Sequence, residues 1–252
     1  MAQQSGHIKI QGTIDNLTYI KTKDGFKVRK KGGVPAGRIK TDPRFKRTRE
    51  NLQEFNEAAK ANKLIRNCFS QVARNIADKR VMSRLTAALF PVIRSDSQNP
   101  RGYRKVGLGN LSLMKGFEFN AGNPFKQAFS EPVTCSIDRL TGNVSIQLPA
   151  FKPGSVLKSP IEGTHYRFVF AAAAIDFERE AFEKDTLVGD AKVLDEVPVA
   201  PATTVLHLPG ASTDPIFILV GLEFLQQSDD GLLSLLTNSS YSTMQLLLVD
   251  QQ

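Results

Sequence analysis

The side chains best suited to covalent chemistry are few and far apart. The chain has three histidines, His7, His165 and His207, and two cysteines, Cys68 and Cys135. A serine or cysteine nucleophile needs a nearby histidine base, and structural zinc sites group Cys and His at short spacings. The sequence contains neither pattern and no glycine-rich phosphate-binding motif. We therefore expect no catalytic, cofactor-binding or metal-binding residues, no enzyme activity, and two buried thiols.

An acidic stretch lies in the second half of the chain. Paired carboxylates can act in acid–base catalysis or hold a hard cation. Arg179 and Lys184 interleave with these acids, and no calcium-loop spacing is present, so a solvated edge strand or loop is the favoured interpretation. A second interpretation is an acidic receiver for a basic partner. The predicted members of this receiver are Asp176, Glu178, Glu180, Glu183 and Asp185.

The strongest chemical bias is the density of cations near the N-terminus. Residues 21–49 hold twelve Lys and Arg against two Asp. Tyr19 and Phe26 interleave with these cations, a combination that suits phosphate contact and base stacking. The same pattern could place cations on the wet face of a hairpin or along a neighbouring subunit. The predicted assembly or polyanion-binding residues are Lys21, Lys23, Lys27, Arg29, Lys30, Lys31, Arg38, Lys40, Arg44, Lys46, Arg47 and Arg49.

Arg44, Arg47 and Arg49 stand at a predicted helix start, where cations oppose the helix dipole. Glu50 and Glu54 follow closely and could neutralise them through ion pairs. An external anion or an acidic partner could do the same. The sequence leaves both possibilities open.

The whole chain is divided by charge. Residues 1–120 carry 25 Lys and Arg against 9 Asp and Glu, whereas residues 121–252 carry 8 against 16. The overall charge of +8 therefore combines a half of +16 with a half of −8. Such a separation favours head-to-tail self-association or binding to a polyanion.

The cations of residues 21–49 lie on a predicted hairpin, a predicted loop and the start of a predicted helix. Alternating apolar residues around Asp24-Gly25 predict a hairpin of residues 17–22 and 25–30. A loop rich in Gly and Pro follows at residues 30–37. Asp42 before Pro43 then predicts the start of a helix.

Two helices are expected next, joined as a helical hairpin. The first has an apolar stripe and a possible break near Ala61-Asn62, and Asp78 would cap the second, in which Pro91 forces a kink or an end. The predicted stripe of the first is Phe45, Leu52, Phe55, Ala59, Ile65, Cys68, Phe69, Val72 and Ile76. The predicted inward face of the second is Met82, Leu85, Ala88, Leu89 and Val92.

The C-terminal half has the pattern of a β domain. Alternating runs around the turn at residues 138–143 predict a hairpin, and further strand-like runs occur at 166–172, 204–208, 216–224 and 244–249. We expect an α+β protein with three parts. These are a basic arm and linker at 1–40, a helical region at 41–120, and an acidic antiparallel β-sandwich at 121–252 that is Ig-like in general architecture.

Several short motifs occur together over most of the chain. They are Gly12-Thr13-Ile14, Leu17-Thr18-Tyr19, Lys23-Asp24-Gly25-Phe26, Asp42-Pro43-Arg44-Phe45, Arg47-Thr48-Arg49-Glu50-Asn51, the turn at 138–143, and Val220-Gly221-Leu222-Glu223-Phe224. In this combination the chain resembles an uncharacterised protein family of Bacteroidota-type bacteria. The resemblance implies membership and supports the three-part organisation. It implies no activity and no site residues.

These patterns favour a structural subunit. We expect a self-assembling homo-oligomer, such as a filament, tube or phage-tail-like particle, in which the basic arm packs head-to-tail on a neighbour's acidic sandwich. The alternative is a nucleic-acid-binding protein that uses the same arm. No apolar run is long enough to span a bilayer and no signal-peptide pattern is present. We therefore expect no membrane insertion, synthesis in the cytoplasm, and release, if any, as part of a particle.

Overall fold

The computed structural model describes residues 2–236 and 241–251. The chain contains helices and sheets, and all its strand pairs are antiparallel, in agreement with the predicted mixture. It divides into two compact units, Met1–Arg49 and Glu50–Gln252. The predicted boundaries near residues 40 and 120 stay a prediction.

The first unit, which we call the arm, is a small sheet with a short helix. Its elements are β1 (Ala2–Gln3), β2 (Gly12–Ile14), β3 (Leu17–Thr22), β4 (Gly25–Lys30) and α1 (Ala36–Thr41). The strands have the order β1-β4-β3-β2. Thr22 pairs with Gly25 at the end of the predicted hairpin, where Gly25 has a φ of +108° that favours glycine. The predicted hairpin is therefore confirmed.

The long helix starts where its cap predicts and is interrupted at Phe69, beyond the predicted break near Ala61-Asn62 and before Ile76. The Asp42 carboxylate accepts a hydrogen bond from the Arg44 backbone N–H at 2.9 Å. A 3-10 turn over Pro43–Phe45 then leads into α2 (Lys46–Cys68), and Phe69 separates α2 from α3 (Ser70–Ala73).

The predicted break near Ala61-Asn62 is wrong because a neighbouring helix satisfies the polar side chain. Asn62 is buried, and its Nδ2 donates to the Met82 carbonyl oxygen and to the Thr86 hydroxyl. Both acceptors belong to α4 (Val81–Ser95). An asparagine that finds such partners does not need to leave the helical conformation.

The apolar stripe is correct only in its second half. Leu52 and Phe55 are 56% and 50% exposed, and Ala59 is also exposed. Glu50 and Glu54 are buried on α2 instead. The buried face therefore carries carboxylates where the sequence predicts rings and alkyl groups.

The second helix shows one similar error. Leu85, Leu89 and Val92 are buried as predicted, but Met82 is 56% exposed. Its carbonyl faces Asn62 while its side chain remains in solvent. Pro91 lies inside α4 and does not end it.

The second unit contains two antiparallel sheets, and the predicted strands are confirmed. The smaller sheet has β5 (Thr134–Asp138), β6 (Asn143–Leu148) and β10 (Ala202–His207). The larger sheet has β7 (His165–Asp176), β8 (Ala181–Val188), β9 (Lys192–Val193), β11 (Ile216–Gln227), β12 (Leu233–Leu235) and β13 (Thr243–Asp250). In the larger sheet, β11 pairs with β7 on one side and with β12 and β13 on the other, while β8 and β9 pair with β7. Short helices α5 (Phe125–Ala128) and α6 (Pro153–Val156) lie in the connections.

Strands β7 and β11 are buried on both faces. Val169 and Leu219 share one core with residues of α2, α3 and α4. Phe168 and Ile218 share a second core with residues of β6 and β10. The larger sheet is thus sandwiched between helices and the smaller sheet, which explains why these two strands are almost continuously apolar.

Candidate functional site

The arm presents an apolar face whose residues all stay at least partly exposed. Residues opposite each other in an antiparallel pair share a face, and the pairs Tyr19–Val28, Lys21–Phe26 and Leu17–Lys30 place two rings and two alkyl side chains on one face. Ile14 lies opposite Leu17 on the next strand. None of the described residues 2–49 is buried, and Ile14 and Leu17 are 51% and 42% exposed. We call this surface, formed by Ile14, Leu17, Tyr19, Phe26 and Val28, the bare face.

Lys27, Arg38 and Arg49, three of the predicted cations, make polar contacts with other residues of the arm. Lys27 pairs with Asp24 at 2.9 Å, and Arg38 pairs with Asp42 at 3.0 Å. The Arg49 guanidinium donates to the carbonyl oxygens of Ile39 and Asp42 at 2.7 and 2.9 Å. The N–H of Arg44 and the Arg38 guanidinium lower the pKa of Asp42. Arg38 and Arg49 therefore help to hold the turn before α2, whereas the Lys27–Asp24 pair lies at the β3–β4 turn.

The other nine predicted cations are exposed on the arm surface. The Lys21 ammonium lies 5.7 Å from the centroid of the Phe26 ring, a cation–π distance. The arm as a whole carries thirteen Lys and Arg against three Asp, a net charge of +10. The nine exposed cations are Lys21, Lys23, Arg29, Lys30, Lys31, Lys40, Arg44, Lys46 and Arg47.

The predicted acidic receiver lies at the end of β7, in the following turn and on β8. Asp176 accepts hydrogen bonds from the N–H groups of Glu178 and Arg179, both at 2.9 Å, and so stabilises its own turn. Asp185 accepts from the N–H groups of Thr186 and His207, both at 2.8 Å. Because His207 belongs to β10, Asp185 ties the edges of the two sheets together.

The remaining receiver residues point to solvent. Glu180 lies 3.4 Å from the Lys60 ammonium. Glu178 and Glu183 are exposed, and their carboxylates make no hydrogen bond or ion pair with any residue that the structure describes. The receiver therefore has two carboxylates with structural duties, one in a surface ion pair and two that are open to a partner.

Three receiver residues line an acidic cavity of about 500 Å³. Asp176, Glu178 and Glu180 contribute from the turn, and α2 contributes from the other side. Five carboxylates and two ammonium groups line this acidic cleft, whose charged residues are Glu57, Lys60, Lys105, Asp176, Glu178, Glu180 and Asp214. The sequence analysis did not predict that Glu57, Lys105 and Asp214 line this cleft, because only the fold brings them close to Asp176.

Glutamates on α2 anchor the loop that forms one wall of the acidic cleft. Glu54 accepts a hydrogen bond from the Gly102 N–H at 3.0 Å, and Glu57 accepts one from the Val106 N–H at 3.2 Å. Glu50, Glu54 and Glu57 are spaced so that they lie on one helix face, which is the only sequence signal for this role. Their ion-pair partners are Arg101 at 3.9 Å, Arg104 at 3.8 Å and Lys105 at 3.5 Å, respectively.

The histidines and cysteines have ordinary structural surroundings. His165 Nδ1 lies 2.9 Å from the Thr164 hydroxyl, and His207 Nδ1 lies 2.8 Å from the Asn143 side-chain oxygen. Cys68 is buried as predicted, and burial raises the pKa of its thiol to about 12, whereas Cys135 is only half-buried. Among the residues that the structure describes, no group of three or more His, Cys, Asp or Glu is arranged to hold a metal ion.

Comparison with other proteins adds no further constraint. No protein-family model, no curated protein and no solved structure matches the chain. Across residues 2–236 and 241–251, no helix is long and apolar enough to cross a membrane. The features that bear on function are therefore the bare face, the exposed cations and the acidic cleft.

Proposed function

We propose that the protein is a structural subunit that assembles with copies of itself. The arm of one copy would pack head-to-tail on the acidic surface of the next, as in a filament, tube or phage-tail-like particle. The proposal includes a finer architecture, in which a helical hairpin precedes an Ig-like sandwich. It also includes membership of the uncharacterised Bacteroidota-type family that the chain resembles. Such a subunit would be made in the cytoplasm and would leave it only within a particle.

The observation that carries the proposal is that residues 2–49 form four strands and bury none of their side chains. Ordering a backbone costs on the order of 1–2 kcal/mol per residue, and burial of apolar surface is the main term that offsets it. A small sheet needs a covered hydrophobic face to be stable. The bare face is therefore complete only when another surface lies on it.

Charge indicates what kind of surface that is. The arm has a net charge of +10, and the open carboxylates of Glu178 and Glu183 lie on the second unit. An arm that meets the second unit of another copy would bring these charges together and would cover Ile14 and Leu17. A head-to-tail contact of this kind repeats into rings or filaments.

The decisive experiment is light-scattering mass on nuclease-treated protein across a salt series. We expect a mass of many subunits at low salt that falls to one subunit of 27.8 kDa as screening increases. The variant Lys27→Glu, Arg29→Glu, Lys30→Glu, Lys31→Glu should remain at one subunit at every salt concentration. A large assembly formed by this variant would refute the proposal.

A matched control keeps the charge change equal. Lys63, Arg74, Lys79 and Arg80 are exposed cations of the second unit. Replacing all four with Glu changes the net charge by the same amount, and we expect assembly to survive. If both quadruple variants are single subunits, total charge rather than the arm would govern assembly.

The second candidate is nucleic-acid binding by the arm. The observation in its favour is the row of exposed cations beside Tyr19 and Phe26, which suits phosphate and base contact. It predicts an affinity for DNA or RNA that falls steeply with salt. The double variant Ile14→Ser, Leu17→Ser separates the two functions, because it should prevent assembly through the bare face and leave phosphate binding unchanged.

A further inference from the structure

A second cavity of about 210 Å³ opens between the two sheets of the second unit and shares no lining residue with the acidic cleft. Buried side chains of Phe151, Tyr166, Phe168 and Phe170 form its inner wall. The lining residues that are exposed, and so mark its mouth, are Leu187, Asp190, Lys192, Ala200 and Ala202. We call it the aromatic cavity.

Three rings of the inner wall meet edge to face, and the fourth, Phe170, is stacked on Phe168. The ring centroids of Phe151 and Tyr166 are 6.1 Å apart, and each lies 6.0 Å from the centroid of Phe168, with interplanar angles of 65–86°. This is the arrangement that aromatic groups prefer, because the electropositive edge of one ring meets the electronegative face of another. A further ring placed in the cavity would find edges and faces of the same kind.

Small residues on β10 and before it leave this space open. Ala202 lies opposite Leu148 in the β6–β10 pair and therefore shares its inward face. Leu148 is 9% exposed and belongs to the core between the sheets. A larger side chain at position 202 would occupy the cavity. An engineered apolar cavity of about 150 Å³ binds benzene, so the aromatic cavity has room for a two-ring molecule.

The polar groups around the cavity favour a neutral molecule with some hydrogen-bonding capacity. Tyr166 is 1% exposed, and its hydroxyl has no hydrogen-bond partner among the residues that the structure describes. Arg167 is neutralised by Glu223 at 2.7 Å. The two exposed charges, Asp190 and Lys192, are opposite in sign.

We propose that the aromatic cavity binds one small neutral aromatic molecule of about the size of indole. The inference is independent of self-assembly, because the aromatic cavity belongs wholly to the second unit and uses none of the predicted cations or receiver carboxylates. Its ring surface supplies most of the contact, and its volume limits the ligand to one or two fused rings.

The chain contains no tryptophan, so indole fluorescence can be followed in its presence without interference from protein indoles. We expect a saturable shift and a rise in anisotropy when the full-length protein is titrated into indole. The variant Ala202→Leu, which fills the cavity, should weaken binding by about tenfold or more because the space is lost. Thr203→Leu is the matched control, since Thr203 is exposed and alternates to the opposite face of β10.

Each result decides the question once thermal unfolding has shown that the variants are folded. Binding that is weakened by Ala202→Leu and kept by Thr203→Leu supports the site. No saturable binding up to millimolar indole overturns it, as does binding that Ala202→Leu leaves unchanged. If Ala202→Leu fails to fold, Ala200→Leu fills the same cavity from its mouth and replaces it in the comparison.

Discussion

Residues 2–49 and residues 50–251 both contain antiparallel sheets, but only the second set encloses a core. In the second unit, β7 and β11 are covered by helices on one face and by the smaller sheet on the other. In the arm, the residues of the bare face lie side by side on β2, β3 and β4 and stay at least partly exposed. The arm and the second unit thus share antiparallel strand pairing, and they differ in the burial of their apolar side chains.

This difference in burial indicates which unit can be stable by itself. Burial of large apolar side chains stabilises by about 1.5–3 kcal/mol each, and the second unit has two clusters of them. In the arm, none of the described residues is buried, and its contacts are backbone hydrogen bonds, a few ion pairs and polar side-chain contacts near the surface. We expect the second unit to supply the stability of the single subunit and the arm to gain its own on assembly.

The largest expected effect is a direct test of this contrast. Leu219→Ala removes a fully buried side chain from the centre of β11 and should lower the free energy of unfolding by about 2–5 kcal/mol. Leu17→Ala makes the same change on the bare face and should alter it by no more than about 0.5 kcal/mol. Urea unfolding at a salt concentration that keeps the protein a single subunit measures both. Equal losses would show that the bare face is covered within one chain.

A buried ion pair offers a test of similar size. Glu223 is 3% exposed and faces Arg167 across the β7–β11 pair. Arg167→Met leaves a buried carboxylate without its cation, and we expect a loss of about 3–5 kcal/mol. Arg179→Met is the control, because Arg179 is highly exposed and its ion pair with Asp176 should contribute little. Similar losses in the two variants would contradict this account of the core.

Acid should weaken the second unit through Asp78. Burial raises the pKa of this carboxyl, but the N–H groups of Ala121 and Arg80 and the Arg84 guanidinium outweigh burial and lower it below 3.8. A lowered native pKa contributes stability that is present above pH 3.8 and is lost as the pH falls through the native value. Asp78→Asn should therefore be destabilising at pH 7, with the difference shrinking below pH 4. Urea unfolding over a pH series measures it, and a difference constant with pH would refute this role.

The smallest expected effect is a gain in stability. Tyr166→Phe removes a buried hydroxyl that has no partner among the described residues and should stabilise the second unit by about 1 kcal/mol. Burial and the nearby Asp195 carboxylate raise the pKa of Tyr166 to about 12, so the hydroxyl is neutral in the native protein. Thermal unfolding of the two proteins is sufficient. A clear loss would mean that the hydroxyl has a partner in solution.

Local patterns predicted most elements of the fold. The hairpin of β3 and β4, the cap at Asp42 and the main strands of the second unit follow from alternation and turn chemistry, which act over a few residues. The errors fall where distant groups decide. Leu52 and Phe55 were expected inside, but Glu54 lies there because the Gly102 N–H, far along the chain, needs an acceptor.

The candidate sites divide in the same way. The sequence by itself determined the charge of the two halves, the cation density of the arm and the identity of its strands, because these depend on composition and short-range order. Only the tertiary structure decided that Asp185 joins two sheet edges, that Glu57 and Asp214 meet Asp176 at one cleft, and that four rings surround a cavity. Burial and hydrogen-bond pairing between residues far apart in the chain are properties of packing, and local sequence patterns do not specify them.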